Sequence, residues 1–234
     1  MRAPAGEQDK WEMIESYARD GVVCVRGVLD PEQIQQAIRG IHQVLAKPSP
    51  PALMATPEVR LYHDHVLVKE GGTKQRTPWH QDQPYYNVDG RGVSAWIPVD
   101  PVPEAGCLEV LAGSHRGQWL LPRTFLAGEA KWFPERALAE LPDVEADRSA
   151  FDIRQYGMAL GDAIFFDFLA AHGAPGFPFA GRRRVLSLRY LSAGVRHAPL
   201  RWRTSPPFDG LDRELGAGQP MDHPLFPVVW PPSS

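Results

Sequence analysis

Within Trp79-His80-Gln81-Asp82-Gln83 the sequence holds its one His-x-Asp, an imidazole and a carboxylate two residues apart. Extended backbone alternates its side chains, so His80 and Asp82 would project to the same face. With one more histidine from a distant strand they would form a two-His-one-carboxylate facial triad. Such a triad takes one face of an octahedral Fe(II) and leaves the other three positions open. The best third ligand is His172, which closes the apolar run Ala163–Ala171 and precedes Gly173. Eleven residues further on, Arg183 opens the run Arg184–Leu191. A fixed guanidinium there suits a dicarboxylate co-substrate, pairing bidentately with the carboxylate that is not on the metal. Arg182 and Arg184 flank it and leave a one-residue ambiguity, since strand alternation lets only one parity face a site. Each feature also has a plainer reading. A His-x-Asp arises by composition, a strand-end histidine is often at the surface, and three arginines are by default a solvated basic turn.

The elements that must carry these residues are short strands. The 24 prolines are about twice ordinary usage, which disfavours a helical bundle and suits strands joined by many loops. Val59–Lys69, Thr77–Gln83, Val93–Val99, Cys107–Leu111, Met158–Leu160, Ala163–Phe168 and Val185–Leu191 read as strands with turns about every ten residues, the pattern of a sandwich or barrel. Ahead of them, residues 7–20 carry helical spacing (Trp11, Ile14, Tyr17, Ala18), Gly21–Arg26 a strand, and Asp30-Pro31 an N-cap and first-turn proline opening a helix to about Lys47. A single domain over 1–234 is expected: a helical scaffold over 1–57, a β core over 58–192 with an insertion at about 112–150, and an irregular tail over 193–234 anchored by Trp202, Phe208, Phe226 and Trp230. The insertion, rich in Trp, Phe, Pro and Glu, reads as a cover.

Composition excludes several classes. Lys+Arg 25 against Asp+Glu 28 gives a net charge of −3, so no global field favours nucleic acid or an acidic membrane. No apolar run reaches the roughly 18 residues of a membrane span, and the N-terminus lacks a signal-peptide core. Cys24 and Cys107 lie in separate apolar runs and read as core thiols of a reducing cytoplasm. A monomer or weak homodimer is expected.

Taken in order, Lys69-Glu-Gly-Gly, Pro78-Trp-His-Gln-Asp82, Ser94-Ala-Trp96, Gly106–His115, Gly161-Asp-Ala-Ile-Phe-Phe, His172-Gly-Ala-Pro and Arg183–Tyr190 resemble the phytanoyl-CoA dioxygenase family over about residues 10–192. The resemblance implies a mainly β fold, a double-stranded β-helix (jelly-roll) core with N-terminal helices. It also implies a dioxygenase using Fe(II), 2-oxoglutarate and O2. It places the iron ligands at His80, Asp82 and His172, the 2-oxoglutarate arginine at Arg183, and further co-substrate contacts at Trp96, His65 and Lys69. Two positions depart from the family pattern. Ala174 stands where many members carry a hydroxyl that touches the co-substrate, and Phe177 where an asparagine often follows. Related halogenases replace the carboxylate by a small residue to admit chloride. With Asp82 present, hydroxylation or another oxidation such as desaturation is favoured.

The substrate side is less defined. Gln83, Tyr85 and Tyr86, with Trp132 and Phe133 from the insertion, point to a small or medium-sized, largely apolar metabolite. Two competing readings stay open. One is a jelly-roll binding module without catalysis. The other is a cupin-like metal site on His63 and His65, although Pro57 and Glu70 do not fit the glycine and glutamate spacing that site needs.

Overall fold

The computed structural model describes residues 7–34, 54–121, 133 and 138–231. Its main sheet is antiparallel and follows from alternation. In β5 (Gly92–Pro98), every residue is buried. Val93, Ala95 and Ile97 pack into a core on one face, while Ser94 and Trp96 turn to the other. β8 (Ala163–Asp167) does the same, with Ala163 and Phe165 on one side and Ile164 and Phe166 on the other. With β1 (Val22–Val25), β2 (Val59–Glu70), β10 (Arg182–Ser192) and β12 (Val228–Trp230) these strands form a six-stranded sheet in the order β1-β8-β5-β10-β2-β12. A four-stranded sheet, β3-β9-β6-β7, lies opposite. It consists of β3 (Thr77–His80), β6 (Glu109–Leu111), β7 (Ile153–Gln155) and β9 (His172–Ala174), while β4 (Val88–Asp89) and β11 (Arg196–His197) pair as a separate two-stranded sheet. This is the expected jelly roll.

The outer face of the large sheet is covered by helix α1 (Glu7–Asp20), which sends Tyr17 and Met13 into the core. Of the residues at helical spacing Tyr17 is buried, while Trp11 is 65% exposed, because Met13 and Tyr17 define the stripe that meets the core. At the next helix start, Asp30 and Gln33 bond each other's backbone N–H groups reciprocally, a capping box that matches the expected N-cap. The rest of that helix, at 35–47, lies outside the described residues, as do 122–132 and 134–137 of the insertion, Trp132 included. Cys24 and Cys107 are free thiols in the core between the sheets, Cys24 half-buried with its Sγ 3.5 Å from Met158 Sδ.

Three strand expectations need correction. The motif strand stops at His80. Asp82 has helical backbone angles (φ −75°, ψ −40°) and leads a 3-10 turn, Gln83–Tyr85, that Pro84 starts. His172 does not end the Ala163–Ala171 run. That run breaks after Asp167, and His172 opens β9 in the other sheet. Met158 makes only a bridge to Val102, and Trp230, paired with Val59 at the edge of the large sheet, leaves its side chain 45% exposed. The other tail aromatics do attach: Phe226 is fully buried, Phe208 packs beside it, and Trp202 Nε1 donates to Pro84 O at 2.9 Å.

The corner where the chain leaves β8 holds the site loop. The Phe168 carbonyl accepts the N–H groups of both Asp82 and Gln83, at 2.9 and 3.0 Å. The Phe168 ring fills the space above Gly92, where an added Cβ would stand 2.0 Å from Phe168 Cε2. Such overpacking costs about 1–3 kcal/mol, which for a chain of this length is about 2–4 °C per kcal/mol. Gly92→Ala is therefore expected to lower the midpoint of thermal unfolding by roughly 3–10 °C. A midpoint equal to that of the parent would show that Phe168 is free to move.

Candidate active site

A cavity of about 670 Å³ opens between the two sheets. At its floor, His80 and His172 are cross-strand partners on β3 and β9, with ring centroids 4.2 Å apart. His80 Nδ1 lies 2.8 Å from Pro78 O and His172 Nδ1 2.9 Å from Ala170 O. A carbonyl accepts only, so both Nδ1 atoms carry the proton and each Nε2 is the acceptor atom of its ring, turned toward Asp82. The Nε2 atoms stand 4.0 and 3.8 Å from Asp82 Oδ1. The three donor atoms lie within 4.8 Å of one another, and all three residues are buried. Two neutral imidazoles and one carboxylate, converging without a bound proton between them, are the donor set of a divalent transition metal.

Burial would push the Asp82 carboxyl up, but the Arg189 guanidinium, the two histidines and the Ser94 hydroxyl hold it well below the usual carboxylate range. Burial lowers both histidines, His172 to about 3. Asp82 thus reaches the same place as a strand residue would by another route: the turn after His80, fixed by the Phe168 carbonyl, swings its side chain back beside the rings.

The cationic end of the cavity lies along β10 and β2. Register pairs Arg183 with Lys69, and both line the cavity. Arg182 is exposed and reaches Glu70 at 3.5 Å, whereas Arg184 is bound to Asp100 at 2.7 Å. Alternation therefore turns Arg183 alone of the three inward, 3% exposed. Its Nη1 donates to Gly106 O at 2.5 Å, its guanidinium lies 5.4 Å from the Trp96 ring centroid, and its Nε has no partner among the described residues. No carboxylate among the described residues neutralises it, and burial pushes its pKa down. Lys69 Nζ donates to Pro175 O at 2.7 Å, Ala174 O at 3.2 Å and Gln75 O at 3.1 Å. Burial, then Arg183 and Arg76, lower it to about 8. A buried cation with an unsatisfied N–H, backed by a second cation, is a receptor for a carboxylate.

His65 and Trp96 face the cavity in one row across the sheet, flanking Ser187 on β10. Tyr85 and Tyr86 also line it, and Phe133 packs on Tyr85 with centroids 5.6 Å apart. Gln83, expected on the substrate side, is instead buried away from the cavity, its amide donating to Val88 O at 2.6 Å to close the following turn. His63 packs between Tyr62 and Tyr86, and His63 and His65 join no group of three metal-type side chains among the described residues. The cupin-like reading therefore has no third ligand there. Sequence reading missed Ser94, Ser187 and Arg189, although Ser187 and Arg189 follow Arg183 at the same strand parity.

A jelly roll with this donor set at its mouth defines the class of non-haem metal oxygenases. The chain belongs to the phytanoyl-CoA dioxygenase family, whose model matches residues 49–185. It is thus an oxygenase dependent on non-haem iron and 2-oxoglutarate. No curated protein sequence matches the chain. Among solved structures, it is similar to the epimerase SnoN from nogalamycin biosynthesis in complex with Fe3+, alpha ketoglutarate and nogalamycin RO (19% identity, TM-score 0.74, 96% of this chain and 100% of that one). It is also similar to the non-heme alpha ketoglutarate dependent carbocyclase SnoK from nogalamycin biosynthesis (19%, 0.69, 93% and 95%). A third is EvdO2 from Micromonospora carbonacea var. aurantiaca complexed with 2-oxoglutarate (20%, 0.64, 89% and 99%). At these identities the likeness is one of fold.

The buried imidazoles set a pH dependence. His63, His80 and His172 are all held below their ordinary 6.5 by burial. Below that pH the unfolded chain takes up protons that the folded chain refuses, so stability falls as pH drops. The slope is up to about 1.4 kcal/mol per pH unit for each imidazole. Metal-free protein is expected to lose thermal stability steadily from pH 6.5 to pH 5, and His63→Phe to flatten that slope. A midpoint independent of pH over this range would contradict it.

Proposed function

We propose that His80, Asp82 and His172 hold Fe(II), that Arg183 with Lys69 and Trp96 seats 2-oxoglutarate, and that the enzyme oxidises a C–H bond of a small or medium-sized metabolite. The observation that carries this reading is the convergence of two Nε2 lone pairs and Asp82 Oδ1, with both Nδ1 protons already spent on carbonyls. When bound, iron, 2-oxoglutarate and O2 supply the oxidising power, with succinate and CO2 released. The residues of the chain provide the rest. Arg183 binds and orients the far carboxylate, Trp96 walls the guanidinium off from water, and Lys69 adds charge while bracing the 73–76 turn against Ala174 and Pro175. That bracing gives the cavity wall a fixed shape at Ala174, where the family's hydroxyl is missing.

Tyr85 and Tyr86, with Phe133 packed on Tyr85, give the substrate end an aromatic lining. This favours a metabolite with an apolar body. Asp82 fills the position a halide would need, so hydroxylation is the simplest outcome; the epimerase and carbocyclase among the similar folds mark other C–H oxidations open to the same architecture. Among the described residues, no helix is long and apolar enough to cross a membrane. A single domain, working as a monomer or weak homodimer in a reducing cytoplasm, is part of this proposal.

Anaerobic addition of Fe(II) and 2-oxoglutarate should produce the weak visible charge-transfer band of an iron-bound 2-oxo acid in the parent protein and none in His172→Ala. Equal bands in both would remove His172 from the ligand set. Arg183→Leu is expected to keep Fe(II) binding and weaken 2-oxoglutarate by at least tenfold, as loss of a buried charge partner costs about 2–5 kcal/mol. Calorimetric titration showing unchanged 2-oxoglutarate affinity would move the carboxylate site elsewhere.

A further inference from the structure

We infer that Arg189, together with Ser94, is a positioning pair that confines Asp82 to one coordinating oxygen and so keeps a metal position open for O2. The inference rests on the triad assignment above and concerns residues to which the co-substrate reading gives no role.

The two oxygens of Asp82 have different surroundings. Oδ1 faces both histidine Nε2 atoms, at 4.0 and 3.8 Å. Oδ2 faces away from them. It accepts the Ser94 hydroxyl at 2.6 Å from β5 and lies 3.4 Å from Arg189 Nε on β10. A hydroxyl donor from one strand and a guanidinium charge from its neighbour, whose Nε–H itself goes to Tyr86, therefore converge on one oxygen of one carboxylate. Register explains the convergence, since Ser94 and Arg189 are direct cross-strand partners in the large sheet. The guanidinium is itself fixed. Its Nε is 3.0 Å from the Tyr86 hydroxyl, and Nη1 bonds the Ser187 hydroxyl two residues back along the strand. Arg189 is 6% exposed, and Asp82 is the carboxylate it approaches among the described residues.

A carboxylate free at both oxygens can chelate a metal through the pair, whereas one with an oxygen already committed to an arginine and a hydroxyl binds through the other. An octahedral ion with three single-atom protein ligands keeps three positions, two for a chelating 2-oxo acid and one for O2. If Asp82 took two positions, the last would be lost. Its own buried charge is balanced by Arg189 rather than by a second metal contact. A guanidinium suits this role because it stays charged and holds a fixed plane.

Nitric oxide, used as a stand-in for O2, reports the open position directly. It would be titrated anaerobically into protein loaded with Fe(II) and 2-oxoglutarate, following the EPR signal of the iron–nitrosyl. For Arg189→Met we expect nitric oxide affinity to fall at least about tenfold, a cost of about 1.4 kcal/mol. Fe(II) and 2-oxoglutarate affinities, read by calorimetry, should change much less. Ser94→Ala leaves the arginine in place and should shift nitric oxide affinity in the same direction by a smaller factor, and Arg189→Lys should restore part of the loss. Unchanged nitric oxide affinity in both Arg189→Met and Ser94→Ala would overturn the proposal. So would parallel loss of Fe(II) binding in both, since the pair would then merely hold the carboxylate in place. If Arg189→Met does not fold, Ser94→Ala and Arg189→Lys decide by the same readout. Failure of the parent protein to bind Fe(II) would overturn the triad assignment itself, and this proposal with it, before any variant is made.

Discussion

An ionised carboxylate in a protein interior is expensive, and the architecture around Asp82 is arranged to make it tolerable. Removing such a charge from water costs several kcal/mol unless it is paired and hydrogen-bonded. Here Arg189 and Ser94 compensate one oxygen, and the other is left toward two imidazoles that burial keeps neutral. The backbone beneath is fixed by a single acceptor, the Phe168 carbonyl, at the corner where the chain crosses between sheets. The site is therefore a product of both sheets at once. The small sheet gives the two rings, the large one gives the counter-charge, and the crossing between them sets the carboxylate.

The same division governs the cavity's polarity. Along β10, alternate residues Arg183, Ser187 and Arg189 face inward, and those between, Leu186 and Leu188, build the outer core. One strand thus carries two buried guanidinium groups six residues apart, of opposite use. Arg189 already has its anion, whereas Arg183 has none among the described residues. The Arg183 guanidinium lies beside the Trp96 ring, 5.4 Å from the ring centroid, so the buried charge rests against an aromatic face rather than an anion.

Much of this was legible from residues alone, for identifiable reasons. Strand alternation located β5, β8 and β10, since their apolar residues recur at a period of two, and it narrowed the arginine to one parity, which the family likeness then set at Arg183. The likeness of short motifs in a fixed order supplied what spacing could not, the pairing of His172 with His80 across about ninety residues. The expectation that Asp82 shares a strand with His80 failed because Pro84 turns the chain immediately after the motif, an effect weaker in sequence than the alternation it interrupts. Gln83 looked like a substrate contact from its position, but a side-chain amide two residues inside a turn finds a backbone carbonyl first. Arg189 and Ser94 were hidden because a polar residue on a buried strand has no signature until its partner is known.

The two thiols set a different boundary on the chemistry. Cys24 and Cys107 lie in the core between the sheets, and burial pushes their thiols up, to about 11 and about 12. The thiolate is the species that peroxides and alkylating reagents attack, so a thiol pushed up by burial is slow to react at neutral pH. An enzyme that activates oxygen beside its own core thus keeps both of its thiols there in the protonated, less reactive form.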